Sequence, residues 1–293
     1  MRIKSSLGGR TFDVFNYVIL GLISFVSLVP ILHVVVGAFS SSQAIIHNRV
    51  FLWPVDVTLD NIKLVVQTST FWKAAWMTIK VVVIATTVNM VLTVFGAYPL
   101  SKSWLRGRKF FMLFLIFTMV FQAPMIPIYL VVKSLGLLNS LWALVIPSAV
   151  SAFNVILCLT FFRSLPEELL DAAKVDGMGE FRIVAKIVVP LSLPIIVTLL
   201  LFYAVGHWNS YMGPLMYLND RNLQTLQLYI YSLISQGNSN DIVAAAAGEA
   251  SITLVPAAIE MATIVLATAP IVLLYPFVQN YFIKGATLGS VKE

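Results

Sequence analysis

The 293-residue chain reads as an all-α integral membrane protein with six transmembrane helices. Three observations predict this. Hydrophobic residues make up 59% of the chain and charged residues only 11%. The apolar residues come in blocks long enough to cross a bilayer, which takes about 20 residues of helix. Blocks such as VVVIATTVNMVLTVFGAY and FFMLFLIFTMVF lack the two-residue alternation of a barrel strand, and only helices and closed barrels satisfy their backbone in lipid.

The predicted spans lie near 14–36, 75–99, 110–130, 141–161, 191–213 and 258–282. The first follows a basic tail, MRIKSSLGGR, but its apolar run is too long for a signal peptide and reads as an uncleaved helix. Lys and Arg fix the direction. The N-terminal tail, the 100–109 loop (Lys102, Arg106, Arg108, Lys109), the 162–190 segment and the C-terminal tail together carry 13, against five in the alternate set. Both termini are thus expected in the cytoplasm. The long outer segments 37–74 and 214–257 are expected to carry short surface helices. The expected division is 1–70 for the tail, first helix and outer loop, 71–283 for a five-helix core, and 284–293 for a cytoplasmic tail.

Several functions are disfavoured. The net charge of +6 is spread along the chain with no basic, aromatic-interleaved helix, which argues against nucleic acid. One cysteine, Cys158, rules out an internal disulfide or a multi-cysteine metal site and reads as a small core hydrophobe. There is no phosphate loop, no H-E-x-x-H and no G-x-S-x-G. A membrane-embedded enzyme therefore has little support. A secondary transporter remains the alternative, although no inverted repeat is visible.

Charge is concentrated in one place. Nine of the 32 charged residues fall between Arg163 and Lys186. Ser164-Leu-Pro-Glu167 has the S-x-x-E pattern of a helix start, with Pro166 in the first turn. Leu165, Leu169, Ala172, Ala173 and Asp176 are spaced to share one face, and Gly177 suits a left-handed terminator. A second helical stretch over 179–188 should lead to Pro190 and the fifth span. A solvated loop is the plainer reading of the same charges.

These residues resemble the cytoplasmic E-A-A motif of membrane subunits of binding-protein-dependent ABC importers: E-A-A, three residues, G, nine residues, I-x-L-P. Here it runs Asp171-Ala172-Ala173, Gly177, Ile187 and Pro190, with Asp171 for Glu and Val189 for Leu. The tail KGATLGSVKE is similar to the Gly-x-Thr-x-Gly-x-Val-Lys ending of the second membrane subunit in the maltose-type branch, at Gly285, Thr287, Gly289, Val291 and Lys292. WNSYMGPLMYL, Trp208–Leu218, resembles that branch's WN pattern. The resemblance covers roughly residues 70–293.

It implies a type I ABC importer permease with a cytoplasmic coupling helix at Asp171–Gly177. It further implies two copies of a separate ABC ATPase that bind ATP and Mg, a homologous second permease forming a heterodimer, and an extracytoplasmic solute-binding protein. The chain itself would not be an enzyme. ATPase coupling would involve Asp171, Ala172, Ala173, Gly177, Ile187, Pro190, Gly289 and Lys292. The cargo would be an oligosaccharide, with acidic alginate- or pectin-type fragments suggested, crossing a bacterial inner membrane.

A transport path needs polar groups at membrane depth. Asn89, Gln122, Asn154, His207, Trp208, Asn209, Ser210 and Tyr211 are the candidates, although interhelical hydrogen bonding is the commoner role of such residues. Pro124, Pro127, Pro147 and Pro194 should open kinks. His33 and His207, lone histidines in apolar runs, read as core or hydrogen-bonding residues rather than metal ligands. Lys80 and Glu260 fall at similar predicted depth and are a candidate ion pair.

Overall fold

The computed structural model describes residues 7–236 and 255–288, and every regular element among them is helical. Two compact units are present, one of residues 1–71 with 230–269 and the other of 72–229 with 270–293.

The first unit begins with α1, Leu7–Ala38, an apolar helix exposed along most of its length. The following segment is folded. Ser41 caps α2, Ser42–Ile46, by accepting from the Ala44 N–H at 3.2 Å. On α3, Asp60–Gln67, the buried Asn61 donates its side-chain N–H groups to the carbonyls of Ser40 at 2.9 Å and Ala38 at 3.3 Å. These bonds tie the segment to the end of α1. His33 shares a 3.1 Å hydrogen bond with the Phe51 carbonyl, the role expected of it.

Helix α4, Ser69–Ser101, which belongs to the second unit from Trp72 onward, spans about 50 Å at 1.5 Å per residue, well beyond a 30 Å hydrocarbon layer. Its buried stripe of Met77, Val81, Ala85, Asn89, Thr93 and Ala97 recurs every four residues on one face. Lys80 stands 5.7 Å over the Trp76 ring, and Glu260 belongs to the other unit.

Three predicted spans are not single rods. The 110–130 block divides into α5, Arg108–Val120, and α6, Met125–Ser134, bent by 116°. Pro124 supplies no N–H at the break and disfavours helix for the residue before it. The 141–161 block becomes α7, Trp142–Val145, and α8, Ala152–Arg163, with Pro147 between them and Ser151 as the new cap. At 12 residues, α8 is about 18 Å long. The fifth span is α12, Leu193–Asn209, entered through an 89° bend after Leu191.

Two further helices, α13 (Met212–Tyr217) and α14 (Leu226–Gln236), occupy the predicted outer segment 214–257, whose residues 237–254 lie outside the described residues. The last helix, α15, runs Pro256–Leu288, so Lys284, Gly285 and Thr287 are helical. Among the described residues, three helices are long and apolar enough to cross a membrane unbroken, and up to five if each bent pair forms one span.

Candidate functional site

The charged segment folds as a compact helical hairpin. Helix α9, Glu167–Val175, carries Glu167 and Glu168 in its first turn and Lys174 in its last, each sign where the helix dipole favours it. It starts two residues later than the S-x-x-E pattern predicts. Because α8 continues to Arg163, Ser164 is in helical conformation and donates its hydroxyl to the Phe161 carbonyl. Pro166 then takes the cap position.

Gly177 has φ +75°, as the terminator reading requires. The Met178 N–H donates to the Ala173 carbonyl and the Gly177 N–H to the Lys174 carbonyl, both at 3.0 Å. These are the two bonds of a Schellman cap.

The predicted face is divided. Leu170 and Ala173 are the buried positions, while Leu169 is 48% and Val175 87% exposed, with Ala172 between them also exposed. The short helix is apolar on two sides, and periodicity cannot say which side the core takes. One side packs with Val94, Ala97, Phe162, Ile183 and Val188. The other stands open beside Asp171 and the Gly177 turn, where a Cβ on Gly177 would meet nothing within 4 Å.

The returning strand of the hairpin is α10, Glu180–Ile183, then a π-helical stretch Val184–Val188, then α11, Val189–Leu191. Ile187 sits in the π stretch, half-buried on the core. Pro190 explains the widened turn: it has no N–H for the Lys186 carbonyl, and its ring would collide with that carbonyl in an α-helix. The Val189 N–H instead reaches back five residues to Val184.

Glu180 fastens this hairpin to α4. The Tyr98 hydroxyl donates to Glu180 Oε2 at 2.6 Å, and Lys174 Nζ lies 3.6 Å from Glu180 Oε1. One turn along α4, the Phe95 ring meets Phe181 with centroids 5.6 Å apart. Lys102, only 7% exposed, holds its ammonium 5.5 Å over the Tyr98 ring. Burial lowers the Lys102 pKa, against the opposing pull of Glu167. Tyr98, Lys102 and Glu180 were invisible as a group, because 82 residues separate the hydrogen-bonded pair.

The polar candidates are partly brought together. A cavity of about 470 Å³ within the second unit is lined by Asn89, Asn154, His207 and Ser210, and also by Pro147. It adds Ser148, Ser151, Tyr203 and Thr225, which sequence reasoning passed over because single hydroxyls in apolar runs carry no pattern. Asn89, 1% exposed, donates to the Ser148 carbonyl at 2.8 Å, and its Oδ1 is without a protein partner, as is Thr225 Oγ1. Tyr203 joins the walls: its hydroxyl is 2.7 Å from Thr93 Oγ1 and accepts from the Ser151 N–H at 3.3 Å. Among the described residues, no Asp, Glu, Lys or Arg lines the space.

Gln122 lies elsewhere, exposed in the α5–α6 break, because the chain turns away there. Asn209 lines a second, more apolar recess with Phe153, Leu201 and Tyr275, which shares Asn154, Phe202 and Gly206 with the first cavity. Trp208 and Tyr211 also stand off the cavity; helical rotation carries Trp208 100° from His207. Gly289 and Lys292 lie outside the described residues.

Among the described residues every regular element is helical, several helices are apolar and of membrane-crossing length, and the charged hairpin precedes the penultimate long apolar segment, which defines a membrane-type helical protein. The chain belongs to the family of binding-protein-dependent transport system inner membrane components, whose pattern matches residues 5–287. It is 40% identical to the polygalacturonan/rhamnogalacturonan transport system permease protein YtcP of Bacillus subtilis (strain 168), over 97% of this chain and 99% of that one. It is likewise 40% identical to Protein LplC of the same organism, over 99% and 98%. Among solved structures, a chain of a bacterial ABC transporter involved in importing the acidic polysaccharide alginate superposes with a TM-score of 0.88. That chain is 34% identical, with 94% of this chain and 98% of that one covered.

Proposed function

We propose that this chain is the permease through which an ATP-driven importer moves an oligosaccharide across a bacterial inner membrane, with six spans and both termini in the cytoplasm. The α5–α6 and α7–α8 pairs serve as broken spans in this reading. Helix α9 is the coupling helix. Its open apolar side, Leu169, Ala172 and Val175, seats in a groove of a separate ATPase, two copies of which bind ATP and Mg. Closure of those ATPases moves α9 and shifts the permease between two states, which requires a partner that binds one state better than the other.

The observation that carries this reading is the hairpin itself: one face built into the permease core, the opposite face apolar and open, and a glycine turn between the two arms. A homologous second permease and an extracytoplasmic binding protein complete the assembly, the latter in keeping with the family's binding-protein dependence. The relatives' names favour acidic polysaccharide fragments, of pectin or alginate type. The uncharged cavity around Asn89 would meet sugar hydroxyls rather than carboxylates, so acidic groups would be met elsewhere in the assembly.

The test is reconstitution with candidate ATPase, second permease and binding protein in liposomes, followed by uptake of labelled oligogalacturonides and alginate oligomers. ATP-dependent uptake that requires all components is expected. Uptake by this chain alone down an ion gradient would sink the proposal in favour of a secondary transporter.

A further inference from the structure

We propose that the recess where the 103–109 loop meets the end of α8 binds the phosphate of an anionic phospholipid, whose acyl chain lies along α5. The recess measures about 900 Å³ and is lined by Arg108, Lys109 and Arg163, with Ser103 beside them and Leu113 and Ile116 on the α5 side. Among the described residues no carboxylate lines it, and none of the three cations forms an ion pair.

That arrangement contrasts with the adjacent hairpin, where Lys174 is paired. Arg163 and Arg108 are close enough to oppose one another: partial burial first, and then Arg108, hold the Arg163 pKa below its ordinary value. Two like charges kept together without a carboxylate fit a site whose anion comes from outside the chain. Guanidinium groups suit phosphate because their N–H donors meet its oxygens in pairs.

The surroundings select a lipid as the source. No residue of α5 is buried, and Phe110, Leu113 and Ile116 lie open directly beside the cations. Trp104, 57% exposed, stands in the same loop, as aromatic residues do at headgroup level. The loop belongs to the Lys/Arg-rich set expected on the cytoplasmic side, where anionic lipids attract basic clusters. An apolar wall continuous with a cationic pocket matches the two parts of one phospholipid.

Native mass spectrometry of the full chain in detergent tests this, with phosphatidylglycerol, phosphatidylcholine, inorganic phosphate and a Glu-rich peptide titrated separately. One retained phosphatidylglycerol is expected. Each cation near an anionic surface contributes about fivefold, so Arg108→Gln with Arg163→Gln should weaken that lipid at least tenfold. Lys73→Gln, outside the recess, should leave it unchanged. The double variant should keep its helical circular dichroism and melting, since neither guanidinium leaves an acid unpaired. Equal retention of phosphatidylcholine, or unchanged phosphatidylglycerol binding by the folded double variant, would overturn the proposal. So would tighter binding of inorganic phosphate, which makes it a free-anion site, or of the peptide, which makes it a protein contact.

Discussion

Substituting Gly177 by alanine and, separately, by asparagine distinguishes two roles for the hairpin turn. At φ +75° an ordinary L-residue costs about 1–2 kcal/mol, whereas asparagine visits this region more readily. The space beyond a Cβ is empty within the chain, so neither variant clashes with its own protein. Alanine is therefore mainly a backbone perturbation, and asparagine mainly an added group on the surface proposed to meet the ATPase. If close approach of the partner matters, overpacking that contact costs about 1–3 kcal/mol, or roughly five- to 150-fold in association. We expect Gly177→Asn to lose ATPase binding and uptake more severely than Gly177→Ala, with membrane insertion of both near the parent and melting lowered by about a few degrees in the alanine variant. Binding of the ATPase by purified variants and uptake in proteoliposomes are the assays. Normal uptake by the asparagine variant alongside a defective alanine variant would refute the docking argument and leave only a conformational role.

Tyr98→Phe removes a short hydrogen bond to a carboxylate, about 1.5–3 kcal/mol, and should lower the uptake obtained per ATP hydrolysed. A double-mutant cycle with Glu180→Gln checks the link, since additive effects would show that the two do not act together. Asn61→Leu leaves two buried carbonyls without their donor, and thermal unfolding should reveal a loss of about 1–3 kcal/mol. Asn89→Leu and His207→Leu should reduce oligosaccharide uptake while ATPase binding is retained; equal uptake by both variants would remove the cavity from the path.

Much of the hairpin was legible because its signals are local. Gly177, the acids of the first turn and Pro190 each act on the nearest few residues, and each does in the structure what its chemistry suggests. Long-range partners were not legible. Nothing in the sequence pairs Tyr98 with Glu180, or Tyr203 with Thr93. Hydropathy located the apolar blocks but not their continuity, since a 20-residue window averages over the breaks at Pro124 and Pro147. Of the membrane-depth polar residues, amide type alone singled out Asn89 and Asn154, which line one cavity, and equally singled out Gln122, which the α5–α6 bend carries away.

The π stretch before Pro190 has a consequence for how this region tolerates insertions and deletions. A π turn accommodates one residue more than the α turn it replaces. Loss of a single residue between Val184 and Val188 does not return the turn to an ordinary α-helix, because Pro190 still lacks an N–H and its ring still meets the carbonyl four residues before it. The same loss would reset the phase of everything before it by about 100°, swinging Glu180 away from Tyr98. The spacing from Gly177 to Pro190 thus sets an angle as well as a length, and length variants of this segment should fail by misaiming α9 rather than by unfolding it.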